Sequence, residues 1–251
     1  VDYGHVTQEQ ADAALEGHIA FNDGVMRVDI FGLREEGRID GELTGPLGAD
    51  VPVLEPGKTY LLEVVVRTLK MGHEFTQGTV DSNQIWVDVA ASQGGAPLGR
   101  SGAIDPEGGV VDPWSHFLNA FILDRDGNRI SERNAEDIFT PLYNNGIPPG
   151  AADVLHYRLT VPEGATEPAT FTARLRYRKF DTEYMRYVFK DPDYVNELPI
   201  LELAEDSVTF PVAAGQPVNN AEVDFPLWQR WNDYGIGLLR KKGTGQLRQA
   251  E

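Results

Sequence analysis

The chain of 251 residues is long enough for one large β-domain or two smaller ones, and its 41% hydrophobic and 24% charged content excludes bulk disorder. With 39 acidic against 22 basic residues the formal charge is −17, a field that repels nucleic acid and favours a cationic partner, a metal ion or a basic haem protein. The absence of cysteine excludes disulfides, cysteine–zinc sites and covalent c-type haem attachment within the chain, and no run of about 18 apolar residues predicts a membrane-spanning helix.

The chain begins at Val1 with no charged-then-apolar leader before it, so the expectation is a protein whose signal was removed, or a piece of something longer. Residues 7–18 predict a short helix: Thr7 is an N-cap with Gln10 three residues on, and Gly17 is placed near the stop. From residue 25 to 212 the signals are those of strands. The main segments are 25–31, 38–44, 60–69, 84–91, 117–123, 155–161, 170–177 and 207–212. In the segment 169–177, Phe171, Ala173, Leu175 and Tyr177 share one face while Thr170, Thr172, Arg174 and Arg176 share the other. A period of two means one buried and one wet face, as an antiparallel sandwich requires.

The turn signals fall between these runs, at Glu55-Pro56-Gly57, Asp126-Gly127, Pro148-Pro149-Gly150 and Pro162-Glu163-Gly164. The predicted fold is therefore mainly β: an antiparallel, immunoglobulin-like two-sheet sandwich with short helical insertions and a C-terminal helix. The insertions are expected at 134–143 and 182–189. After Gly215-Gln216-Pro217, which is linker-like, residues 225–242 have a helical pattern rich in Leu and Trp with a basic end. Gly243-Thr244-Gly245 breaks it, and 246–251 starts another amphipathic segment, which suggests a fragment boundary. The expected organisation is an N-terminal arm over 1–22, the sandwich over 23–214, and a linker with C-terminal helices over 215–251.

Several motifs taken in order resemble a known module. They are Leu54-Glu55-Pro56-Gly57, Gly72-His73-Glu74-Phe75-Thr76-Gln77-Gly78, Asp81 and Trp86, then Asp124-Arg125-Asp126-Gly127-Asn128, Ile147-Pro148-Pro149-Gly150 and Leu175-Arg176-Tyr177-Arg178. Together they resemble the cysteine-free β-sandwich module that follows the haem-binding region of certain multihaem c-type cytochromes. In some of these tetratricopeptide repeats come next, and residues 231–251 resemble the first turns of such an array. The resemblance implies electron transfer outside the cytoplasm, periplasmic or extracellular, with a multihaem c-type cytochrome as partner on the same or another polypeptide. The chain has no Cys-x-x-Cys-His, so any haem c belongs to another segment or chain, which this module would dock on, shield or supply with an axial imidazole.

His73 is the first candidate for that contact. It follows a long predicted strand, and neutral imidazole is a strong iron ligand; the flanking Gly72 lets backbone approach a flat macrocycle. The plainer reading is a loop histidine bonded to Asp81 or a carbonyl. His5 and His18 in the N-terminal arm are further haem-binding candidates, although helix-end histidines are usually solvated or capping. His116 and His156 lie in apolar contexts and read as structural.

Asp124, Asp126 and Asn128 form a candidate calcium site, because alternating oxygen ligands suit a hard cation. The full loop pattern needs Gly at its sixth and Glu at its twelfth position; here Gly127 is fourth and Ala135 twelfth, and a hairpin turn explains Asp126-Gly127 without metal. Asp105, Glu107 and Asp112 form a second acidic loop with the same ambiguity. Trp228, Trp231 and Tyr234 share a helical stripe that covers a haem edge, a partner or, by default, the sandwich.

No constellation supports catalysis. Ser115 and His116 would point to opposite faces of a strand, Ser101 lacks a hydrolase elbow, and no phosphate-binding glycine loop occurs. The expectation is a non-catalytic electron-transfer accessory module, with a surface adhesion or carbohydrate-binding sandwich as the alternative.

Overall fold

The computed structural model describes residues 6–76, 82–213 and 215–240. Helix α1 (Gln8–Asn22) opens with the predicted capping box: the Gln10 N–H donates to Thr7 Oγ1 at 3.3 Å and the Thr7 N–H to Gln10 Oε1 at 2.9 Å. Gly17 does not stop it. One interior glycine weakens a helix by about 1 kcal/mol without ending it, and the chain stays helical to Asn22.

The strands follow as β1 (Met26–Glu35), β2 (Leu43–Thr44), β3 (Thr59–Thr68), β4 (Gln84–Gln93), β5 (Ala96–Ser101), β6 (His116–Phe117), β7 (Ala120–Leu123), β8 (Thr140–Asn144), β9 (Ala152–Thr160) and β10 (Ala169–Arg178). Helix α2 (Thr182–Phe189), β11 (Ile200–Phe210) and α3 (Leu227–Arg240) complete the described chain. One sheet has the order β2-β1-β3-β9, and the other β11-β10-β4-β5 with β6 beside β4. The ladders are antiparallel, and β7 pairs with β8 apart from both sheets. This is the mainly β, two-sheet architecture predicted, with its C-terminal helix.

Between the sheets lies one core that includes Ile30, Leu62, Val64, Val66, Ile85, Val87, Leu175 and Phe210. In β10 the alternation holds: Phe171, Ala173 and Leu175 are buried, and the residues between them are half-exposed. Strand β3 is different, with an almost continuous buried run. A strand covered on both faces has no wet side to mark with polar residues, and α3 provides the second cover.

Three predicted elements differ from the structure. The strand expected at 38–44 shrinks to Leu43–Thr44, because Gly37 takes φ +62° and the Gly41 N–H closes a turn on the Arg38 carbonyl at 3.1 Å. The segment 117–123 breaks into β6 and β7. The helix expected at 134–143 is a single 3-10 turn, Ala135–Asp137, followed by strand β8. Pro141 lies in that stretch; it cannot donate to a helix but is tolerated on an edge strand.

Helix α3 lies on the outer face of the first sheet. Tyr234 and Leu238 join Phe31, Val65, Ala152 and Val154 in a second buried cluster, and the Phe31 and Tyr234 rings stack at 4.2 Å. Gly237 permits the close approach: a Cβ there would sit 2.7 Å from Val154 Cγ2. Charges reinforce the seam. Arg230 pairs with Asp29, and Asp233 with Arg27 and with Arg67 Nε at 3.1 Å. Arg240 Nη2 lies 3.1 Å from Asp153 Oδ2. In the stripe singled out above, Tyr234 is therefore core, whereas Trp228 is 70% exposed and Trp231 45%.

Candidate functional site

Several residues that carry the cytochrome-module resemblance are buried in the sandwich. Trp86 is fully buried and donates from Nε1 to the Gly102 carbonyl at 3.0 Å. Leu54 is buried where its N–H meets the Pro211 carbonyl at 2.8 Å, and Arg178 is buried beneath α2. His73 is exposed on the loop that follows β3, as are Arg125, Asp126, Gly127 and Asn128 on their turn.

That loop is held at its base. Phe75 is buried and exchanges backbone hydrogen bonds with Ile147, at 2.9 and 2.6 Å, and Thr76 Oγ1 donates to the Leu118 carbonyl at 3.2 Å. His73 Nδ1 lies 2.9 Å from the Glu74 carbonyl oxygen. A carbonyl only accepts, so Nδ1 carries a proton, and the neutral tautomer consistent with this contact has its lone pair on Nε2. Metal-binding histidines are commonly oriented in this way. Asp81, Gln77 and Gly78 lie outside the described residues.

His18 lies on exposed α1 but lines an apolar groove of about 340 Å³ with Ala14, Leu15, Tyr177, Phe180 and Leu201. Burial pushes the Tyr177 phenol up. His5 lies outside the described residues.

His116 and His156 each face a buried carboxylate. His116 Nε2 is 3.5 Å from Asp153 Oδ2, and His156 Nε2 is 3.2 Å from Glu63 Oε1. With Ser101, Ser115 and Trp114 they line a shallow groove, and Trp114 is 91% exposed. The sequence reading assigned both histidines to structure and did not bring them together, because they come from strands of different sheets.

A larger cavity, about 480 Å³, opens beside the N-terminus of α2. Asp181 caps that helix, accepting from the Tyr184 N–H at 2.7 Å. Burial raises its pKa, opposed by that N–H and by Arg129, whose Nη2 is 3.0 Å away. Beneath the cavity Arg178 is fully buried, and burial lowers its pKa to about 10, which leaves it charged at neutral pH. Sequence patterning gave no hint of this cavity: its lining comes from segments spread between residues 83 and 186.

No protein-family model matches the chain, and no curated protein matches it. Among solved structures it is similar to a penta-haem cytochrome c552 from Thermochromatium tepidum, at 15% identity and a TM-score of 0.49. The match covers 77% of this chain and 41% of that cytochrome chain, so it spans less than half of that protein's length. With no cysteine, this chain has no covalent attachment point for haem c.

In the candidate calcium loop, Asp124 Oδ1 accepts from the N–H groups of Asp126 at 2.9 Å and Asn128 at 2.8 Å, and Oδ2 from Asn128 Nδ2 at 3.0 Å. These bonds, led by that from the Asn128 side chain, lower the Asp124 pKa. Gly127 takes φ +86°. Asp105 similarly accepts from the N–H groups of Glu107 and Gly108, and Asp112 from those of Gly102 and Trp114. Among the described residues, no group of three or more His, Asp or Glu is placed to hold a metal ion. Among them, too, no helix is long and apolar enough to cross a membrane. The Ser115 hydroxyl donates to the Asp112 carbonyl at 2.6 Å.

Proposed function

We propose that this chain is a non-catalytic scaffold module of an extracytoplasmic multihaem electron-transfer system, and that His73 offers Nε2 to a haem iron held in another segment or a partner chain. The observation that carries this reading is the Nδ1–Glu74 carbonyl contact on an exposed loop pinned by Phe75. It sets the tautomer an iron ligand needs and limits the entropy lost on ligation. The order of the sequence motifs from Leu54 to Arg178 supports the partner class, and the charge of −17 favours encounter with a basic haem protein. Covering a haem edge with this sandwich would lower the local dielectric and shift its reduction potential.

The test is a titration of the protein into a ferric haem peptide with one open axial position. Conversion of the haem from high to low spin, lost in His73→Ala and kept in His18→Ala, is the expected result. Absence of conversion, or conversion that survives in His73→Ala, would overturn the assignment.

One observation favours a second reading, a carbohydrate-binding or adhesion module: the exposed Trp114 beside the groove of His116 and His156. Quenching of tryptophan fluorescence by oligosaccharides, abolished in Trp114→Ala, would select it.

A further inference from the structure

We infer that the cavity beside the N-terminus of α2 is a binding site for a small organic carboxylate that also carries an N–H or O–H donor. Its volume of about 480 Å³ lies in the range of small-molecule sites. Arg186 lines it. Nε donates to the Tyr194 carbonyl at 3.3 Å, and the guanidinium makes no ion pair among the described residues. Such a planar fork matches the two oxygens of a carboxylate.

Asn119 lines the same cavity and is only 6% exposed, yet its Oδ1 is buried without a hydrogen-bond partner among the described residues. An unmet buried acceptor costs about 1–3 kcal/mol, and a donor on the ligand removes that penalty. The wall beside it is aromatic, formed by Phe117, Phe121 and Tyr143, and accepts an apolar body.

Charge accounts for the sign of the ligand. Arg129 is 3.0 Å from Asp181 and 2.6 Å from Glu183. Arg178 underlies the cavity lining and, among the described residues, donates to the neutral acceptors Gln84 Oε1, the carbonyls of Gly109 and Asn196, and Thr182 Oγ1. At the cavity wall Arg129 is thus occupied by Asp181 and Glu183, which leaves Arg186 to meet a ligand carboxylate, although the molecule as a whole is strongly acidic.

Hippurate has the required parts: a carboxylate, an adjacent N–H and a ring. Calorimetric titration of the full chain should show millimolar or tighter binding of hippurate and at least about tenfold weaker binding of its neutral methyl ester. Arg186→Gln should weaken hippurate binding by a similar factor. Asn119→Leu should also weaken it while leaving the thermal unfolding midpoint unchanged or higher, since it removes an unsatisfied polar group. The inference is overturned if hippurate does not bind, if acid and ester bind alike, or if Arg186→Gln melts like the parent chain and binds hippurate equally well.

Discussion

Arg230 on α3 and Asp29 on β1, 201 residues apart, form a two-pronged ion pair, with Nε donating to Oδ2 at 2.9 Å and Nη2 to Oδ1 at 2.6 Å. Both side chains are 5% exposed. Burial raises the Asp29 pKa, and the hydrogen bond and charge of Arg230 pull it back. Removing one member of such a pair strands a buried charge, so Arg230→Ala should destabilise the fold by about 3–5 kcal/mol, read as a lower urea midpoint. Replacing both, Asp29→Leu with Arg230→Met, should cost less than Arg230→Ala alone. A single variant with an unchanged midpoint would show that the apolar seam alone holds α3.

Two tyrosine hydroxyls predict opposite outcomes. Tyr234 donates to Glu63 Oε2 at 2.7 Å and accepts from Arg34 Nη2 at 2.9 Å, so Tyr234→Phe should cost about 1.5–3 kcal/mol. The Tyr157 hydroxyl is buried with no hydrogen-bond partner among the described residues, and burial raises its pKa. Tyr157→Phe removes that unmet group and should leave stability unchanged or higher. Thermal melts of the two variants side by side check the contrast.

Glu63 predicts a pH dependence. Burial, the largest influence, pushes its pKa up, but hydrogen bonds from His156, Arg34 and Tyr234 hold it below the ordinary 4.5. The folded state therefore binds this proton less readily than the unfolded chain. Its stabilisation is complete above the unfolded value and is lost as the pH falls through the lower folded one. Glu63→Gln should be less stable near neutrality, and its urea midpoint should fall less steeply between about pH 5 and pH 3. Parallel profiles for parent and variant would contradict this assignment.

Much of the fold was legible because it rests on local signals. The alternation of Phe171, Ala173 and Leu175 marked β10, and Thr7 with Gln10 marked the start of α1. Strand β5 was missed although Gly94-Gly95, with φ +53° and +83°, is a hairpin signal between two short runs. The seam beneath α3 was not legible. Asp29, Glu63 and Arg67 look like wet-face residues until a helix more than 160 residues away covers them. His73 was singled out from Gly72 and the preceding strand, whereas Asn119 and Arg186 meet only in three dimensions.

The Asp124 turn predicts how the acidic loop responds to calcium. Its carboxylate already accepts three N–H donors. Asp124→Ala should lower the thermal midpoint, and calcium should leave the parent midpoint unchanged. A calcium-dependent rise that disappears in Asp124→Ala would establish a metal site.

The central claim is tested most directly by the absorption spectrum of the assembly isolated from its native source, with and without dithionite, for parent and His73→Ala chains. The account predicts a Soret band with sharp reduced α and β bands in both, with one haem turning high-spin in the variant. A colourless protein, or identical haem spectra from the two chains, would contradict it.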